Sequence, residues 1–137
     1  NKTKMNKQTI YKLALPPFAV LIIHIVAMLV GWYEKFWWFD IPMHLIGGVA
    51  ITYSAFVVLD YFKKQNILSI KWMPLDILIL LGLAALAATT WELMEFTFDL
   101  YFNTGLQASL LDTVKDLCIG LIGGGIVAIT STLINKK

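Results

Sequence analysis

The sequence predicts an all-α fold, a polytopic membrane protein built as a four-transmembrane-helix bundle, and three observations carry that prediction. The 137 residues are 58% hydrophobic and 15% charged, with a mean hydropathy of +0.73, where soluble chains run at about 45–50% apolar and about 25% charged. Four stretches approach the roughly 20 mostly apolar residues needed to cross a bilayer core. Lysines collect in every second connection, as they do in cytoplasmic loops. At this length one domain covering 1–137 is expected.

The first span, near 14–34, carries no charge between Leu13 and Tyr33 apart from any on His24, and Pro16 with Pro17 suits a helix first turn, where a missing N–H costs little. It is too long and too embedded in a polytopic chain to read as a cleaved signal, although the Asn start leaves a processed N-terminus open. The second span, near 41–61, is free of carboxylates and lysines from Ile41 to Leu59. The third, near 74–99, begins at Pro74. Its uncharged part, Ile77 to Trp91, is too short to cross, so the helix must run on through Glu92 and Glu95 towards Asp99. The fourth, near 112–134, is uncharged from Leu117 to Asn135.

Orientation follows from the lysines. Lys2, Lys4, Lys7 and Lys12 precede the first span, Lys63, Lys64 and Lys71 lie between the second and third, and Lys136 with Lys137 ends the chain. Those regions share one side, so both termini are expected to be cytoplasmic in a multi-pass protein of the cell membrane. The opposite side holds Lys35 and Lys115 with Glu34, Asp40, Glu92, Glu95, Asp99, Asp112 and Asp116. Trp32, Tyr33, Phe36, Trp37, Trp38, Phe39, Tyr101 and Phe102 would form an outer aromatic belt, and Tyr61, Phe62 and Trp72 an inner one. Asp60 and Asp76 read as boundary residues at the cytoplasmic ends.

All eleven basic residues are lysines and the net charge is +2, which lacks the arginine fork and basic stripe of nucleic-acid recognition. The single cysteine, Cys118, makes no intrachain disulfide and is expected to pack as a small hydrophobe. A phosphate-cradling glycine loop, HExxH, CxxC and GxSxG are all missing.

Spacing gathers the remaining polar residues. Asp40 and His44, four apart, project from one face of the second span, followed by Gly47 or Gly48, Ile51 and Ala55. Ala85, Ala88, Glu92, Glu95 and Asp99 line the third, and Asp112, Asp116, Gly120 and Gly124 the fourth. Small residues let membrane helices approach closely, so these faces pack together and bring their polar ends to the outer half of the bundle. Ionisable groups there need a compensating cation or donor, and Lys35, Lys115 and His24 are the candidates within the chain. Local alternatives exist. Asp40 and Asp112 stand where helix-start acids cap, Asp112 three after Ser109 in near capping-box spacing. Asp99 suits a solvated face, and either histidine could serve a single hydrogen bond. Glu92 and Glu95 fall in last turns, where the helix dipole disfavours negative charge, and Asp116 lies a full turn inside its helix, so capping explains none of the three.

Asp40-Ile41-Pro42-Met43-His44-Leu45-Ile46-Gly47-Gly48, then Trp91-Glu92-Leu93-Met94-Glu95, then Leu111-Asp112-Thr113-Val114-Lys115-Asp116-Leu117 leading to Gly120 and Gly124, resemble the VanZ-like group of small bacterial membrane proteins. They are more closely similar to the related YjdF-like inner-membrane family. The resemblance runs roughly over 40–125. It implies an Asp and His opening one helix, Glu closing another, and a third helix start of Asp-Thr-x-x-Asp-Leu followed by glycine. The chain departs from the VanZ-like pattern in lacking an Arg before the last helix and in carrying Asp116 where Asn is usual. The resemblance implies a site rather than an activity.

The expectation is therefore a divalent metal site of Asp40, His44, Glu92, Glu95, Asp112 and Asp116, with Asp99 and His24 as further polar groups and Gly47, Gly48, Gly120 and Gly124 as packing residues. Oxygen-rich ligands favour Mg, Mn or Ca, and histidine leaves Zn or Fe open. At headgroup depth such an ion would suit Lewis-acid activation of a phosphate or ester in a lipid-linked substrate. Three alternatives stay open: a non-catalytic binding or resistance module for a polar headgroup, an ion or proton pathway, and a purely structural cluster. The pathway lacks a polar stripe reaching the cytoplasmic end. Oligomeric state is open, since the spacing of Gly120 and Gly124 would serve a dimer too.

Overall fold

The computed structural model describes residues 4–135, so Lys2, Lys136 and Lys137, counted above for orientation, lie outside the described residues. The described residues form helices alone: α1 (Lys7–Leu29), α2 (Trp32–Lys35), α3 (Asp40–Lys64), α4 (Met73–Phe102) and α5 (Leu110–Ile134). The four long helices are each long and apolar enough to cross a membrane. At 1.5 Å per residue the shortest of them rises about 35 Å, more than the roughly 30 Å hydrocarbon core.

Helix boundaries depart from expectation where caps decide them. Helix α1 starts well before residue 14, because the Asn6 side chain accepts from the Thr9 amide at 2.8 Å and caps it there. Pro16 and Pro17 consequently sit inside the helix and not in its first turn. Pro17 has no amide to give the carbonyl four residues back, and the Ser54 hydroxyl of α3 donates to that Leu13 carbonyl at 2.7 Å instead. Gly31, at φ 68, turns the chain and ends α1 at Leu29 instead of near 34. Helix α4 runs three residues beyond 99 and stops at Asn103, whose left-handed backbone returns its N–H to the Asp99 carbonyl at 2.8 Å. The Ser109 hydroxyl accepts from the Asp112 amide at 3.1 Å and opens α5.

Helix α3 is the hub, packed against α1, α4 and α5, while α5 also packs against α4. Glycine makes the closest of these contacts. A Cβ on Gly48 would fall on the Gly120 carbonyl, and one on Gly123 would fall on the Leu45 carbonyl. A Cβ on Gly124 would lie 2.7 Å from Thr52 Oγ1 and 2.9 Å from Ala84 Cβ. Backbones that touch in this way gain dispersion contacts unavailable to larger residues. Gly123, seven residues from Asp116 and on the same face, was not among the expected packing positions. By contrast, a Cβ on Gly47 would meet nothing within 4 Å, since it is rotated one residue, about 100°, from Gly48.

One end of the bundle gathers the start of α1, the end of α3, the start of α4 and the end of α5. Lys63 meets Asp76 at 2.5 Å, Lys64 meets Asp60 at 2.6 Å, and Asn135 donates to Asp60 at 2.8 Å. Asp76 is buried in that pairing and is not a simple boundary residue. The other end carries exposed Trp37, Trp38, Tyr101 and Phe102. Cys118, expected to pack as a small hydrophobe, is exposed on α5, because two residues from Asp116 turn it about 200° to the outer face.

Candidate functional site

His44 organises the aromatic-rich end. It lies one turn into α3, so its ring stands beside the Asp40 carboxylate that opens the same helix. Nε2 is 3.1 Å from Asp40 Oδ1 and 3.9 Å from Asp116 Oδ2 on α5, while Nδ1 is 3.8 Å from Glu92 Oε1 on α4. One imidazole thus faces carboxylates from three helices. Two groups of ligand atoms result, Asp40 with His44 and Asp116, and His44 with Glu92 and Glu95, each within 4.8 Å of one another.

Burial separates these acids from ordinary surface charge. Glu92 is 6% exposed and Asp116 3% exposed. Glu92 Oε1 and Asp116 Oδ1 are buried without a hydrogen-bond partner, a costly state for a carboxylate. Lys115 is the protein's own cation at the cluster. Its Nζ lies 2.5 Å from Asp112 Oδ1, 3.3 Å from Asp116 Oδ1 and 3.4 Å from Asp40 Oδ2. Lys35 points elsewhere and donates to the Val30 carbonyl at 3.3 Å.

The six expected ligands therefore divide. Asp40, His44, Glu92, Glu95 and Asp116 converge, whereas Asp112 faces Lys115 and belongs to neither group of ligand atoms. Asp99 stays outside the cluster: its carboxylate accepts from the Gly105 amide and, at 3.3 Å, from Thr104 Oγ1, tying down the loop after α4. Asp40 is the first residue of α3, and no side chain caps that helix from Phe39; its carboxylate serves His44 and Lys115.

His24 of α1 reaches the same end. Its Nδ1 lies 2.7 Å from the Tyr33 hydroxyl, and its ring meets the Trp91 ring edge-on with centroids 4.8 Å apart. Tyr33, expected in the outer belt, turns inward because Gly31 reverses the chain. Burial first, then the Asp40 and Glu95 carboxylates, push the Tyr33 phenol well above its ordinary value, so it keeps its proton. Trp91 Nε1 donates to Glu95 Oε1 at 2.7 Å. These aromatic partners were missed from sequence. The four-residue step from Trp91 to Glu95 was a usable signal, but nothing local linked Tyr33 to His24.

A cavity of about 160 Å³ opens beside the cluster. His24, Tyr33, Asp40, His44, Trp91 and Glu95 make its polar end, and Gly47, Gly48, Ala84, Ala87, Ala88 and Gly120, with Val20, Leu21 and Ile51, its apolar remainder.

The family described as "Predicted membrane protein (DUF2238)" matches residues 6–137. A protein from Thermotoga maritima, named "Uncharacterized protein", is 30% identical over 110 residues, 77% of this chain and 53% of that protein. The chain thus spans about half the length of that relative. No solved structure matches it. The expected VanZ-like or YjdF-like kinship is met only as far as a family of membrane proteins: with four apolar helices and a match over residues 6–137, this chain belongs to the DUF2238 family of membrane proteins.

Proposed function

We propose that the aromatic-rich end of this membrane protein holds one divalent cation between Asp40, His44 Nε2 and Asp116. The observation that carries the reading is that ligand atoms of Asp40, His44 and Asp116 lie within 4.8 Å of one another, beside Glu92 Oε1, a buried carboxylate oxygen with no hydrogen-bond partner. Neighbouring ligands at about 2.1–2.4 Å from an octahedral ion stand about 3.0–3.4 Å apart, and the Nε2 to Asp40 separation of 3.1 Å lies in that range. The more distant Asp116 oxygen, at 3.9 Å, closes in through a side-chain rotation. His44 Nδ1–H is then directed at Glu92, the outer carboxylate that orients many metal-bound histidines. Mixed oxygen and nitrogen donors suit Mg, Mn, Ca or Zn.

Lysine placement supports putting this end outside the cytoplasm. Lys4, Lys7, Lys12, Lys63, Lys64 and Lys71 lie at the opposite end, with Lys35 and Lys115 at this one. An ion at headgroup depth would polarise a phosphate or ester oxygen of a lipid-linked substrate.

The test is elemental mass spectrometry of gently purified protein, before and after reloading with Mg, Mn, Ca and Zn. Near-stoichiometric metal is expected. Asp116→Asn should lose it, and Glu92→Gln should bind it about 10–100-fold more weakly, as outer-shell changes do. Folded protein that takes up no ion under any loading would overturn the reading and leave Lys115 as the cation of the cluster.

A further inference from the structure

We propose that the cavity beside the cluster takes one hydrocarbon chain of an aminophospholipid, with the ammonium headgroup at Glu95 and the tail along Gly47. The proposal deepens the metal reading and rests on it in one respect: the ion occupies Asp40, His44 and Asp116, leaving Glu95 to the headgroup.

Access comes first. Helix α1 packs chiefly on α3 and meets α4 through the ring contact of His24 with Trp91. The cavity between them therefore opens sideways, towards the bilayer that four spanning helices require. A ligand arriving that way comes from the lipid phase.

Its lining is polar at one end only. Glu95 offers a carboxylate whose single hydrogen bond is from Trp91, and Trp91 and Tyr33 line the same cavity. A carboxylate with acceptor positions left free is a partner for an organic ammonium. Charge points the same way: with Asp40 taken by the ion, Glu95 is the acid left lining the cavity, and Lys115 does not line it. A headgroup that carries an ammonium is therefore favoured over a purely anionic one.

Gly47 supplies the other half. Glycine costs roughly 1 kcal/mol relative to alanine inside a helix, and close packing accounts for that cost at Gly48, Gly123 and Gly124. At Gly47 a Cβ would meet nothing within 4 Å, yet the residue lines the cavity. The open space over Gly47 belongs to this cavity, which Ala87 of α4 also lines.

The experiment is native mass spectrometry of detergent-solubilised protein titrated with dioleoyl phosphatidylethanolamine or dioleoyl phosphatidylglycerol, with metal content measured on the same samples. One phosphatidylethanolamine per chain should be retained, at about tenfold lower concentration than phosphatidylglycerol requires, a difference of about 1.4 kcal/mol. Gly47→Phe and, independently, Ala87→Phe should abolish retention while leaving metal content unchanged, which also shows that they fold. Equal retention of the two lipids, or retention that survives both substitutions, would mean an annular lipid and overturn the proposal. Metal without lipid would sink this proposal and leave the ion site standing. Lipid lost in both variants from a protein that never binds metal, with thermal unfolding in micelles unchanged, would do the reverse.

Discussion

Gly48 of α3 and Gly120 of α5 meet backbone to backbone, each one helical turn beyond the residue whose side chain it serves, His44 and Asp116. Because no Cβ separates the helices there, imidazole and carboxylate on different helices come within 3.9 Å. Gly48→Ala must push the helices apart. We expect a loss of about 1–3 kcal/mol, as for overpacked cores, read by thermal unfolding in micelles, together with weaker metal binding. Gly47→Ala is the control: with nothing within 4 Å of its Cβ, it should be neutral or stabilising by up to about 1 kcal/mol.

His44 is shared by both groups of candidate ligand atoms, so its loss should dismantle the site more completely than the loss of any one acid. An ion bound only by the folded protein at 100 times its dissociation constant adds about 2.7 kcal/mol of stability. We expect this metal-dependent rise in unfolding temperature for the wild type and none for His44→Ala. A rise that persisted in His44→Ala would place the ion elsewhere.

Lys115 stands within 3.4 Å of both Asp40 and Asp116, so its ammonium repels an ion held by them. Lys115→Met should therefore tighten metal binding, measurable by competition with a chelator, and the gain should shrink in high salt if part of it is long-range. If Lys115 instead organises the carboxylates, the same substitution would weaken binding.

Much of this arrangement was legible in the sequence because it depends on helical periodicity and on the cost of charge in a bilayer. Four-residue steps placed Asp40 with His44 and put Asp116, Gly120 and Gly124 on one face. The failure of helix-dipole or capping arguments at Glu92 and Glu95 marked them as unusual. What escaped depends on contacts between segments. Asp112 shares the Asp116 face, but Lys115, three residues on, engages it and holds it out of the ligand groups. Pro16 and Pro17 looked like a helix start because a missing amide is harmless there, and only the Asn6 cap places them mid-helix.

The mid-helix position of Pro17 has a testable consequence of its own. Inside α1, Pro17 leaves the Leu13 carbonyl without its amide, and the Ser54 hydroxyl replaces the missing donor at 2.7 Å. Ser54→Ala should strand that carbonyl between α1 and α3, where water is scarce, at a cost of about 1–2 kcal/mol. Pro17→Ala restores an intrahelical donor to the same oxygen, so Ser54→Ala in that background should cost markedly less. A double-mutant cycle in micelles measures the difference as an interaction energy. Additive losses would show that Ser54 contributes by packing alone, whereas the expected non-additivity would identify α3 as the helix that completes the broken hydrogen-bond ladder of α1.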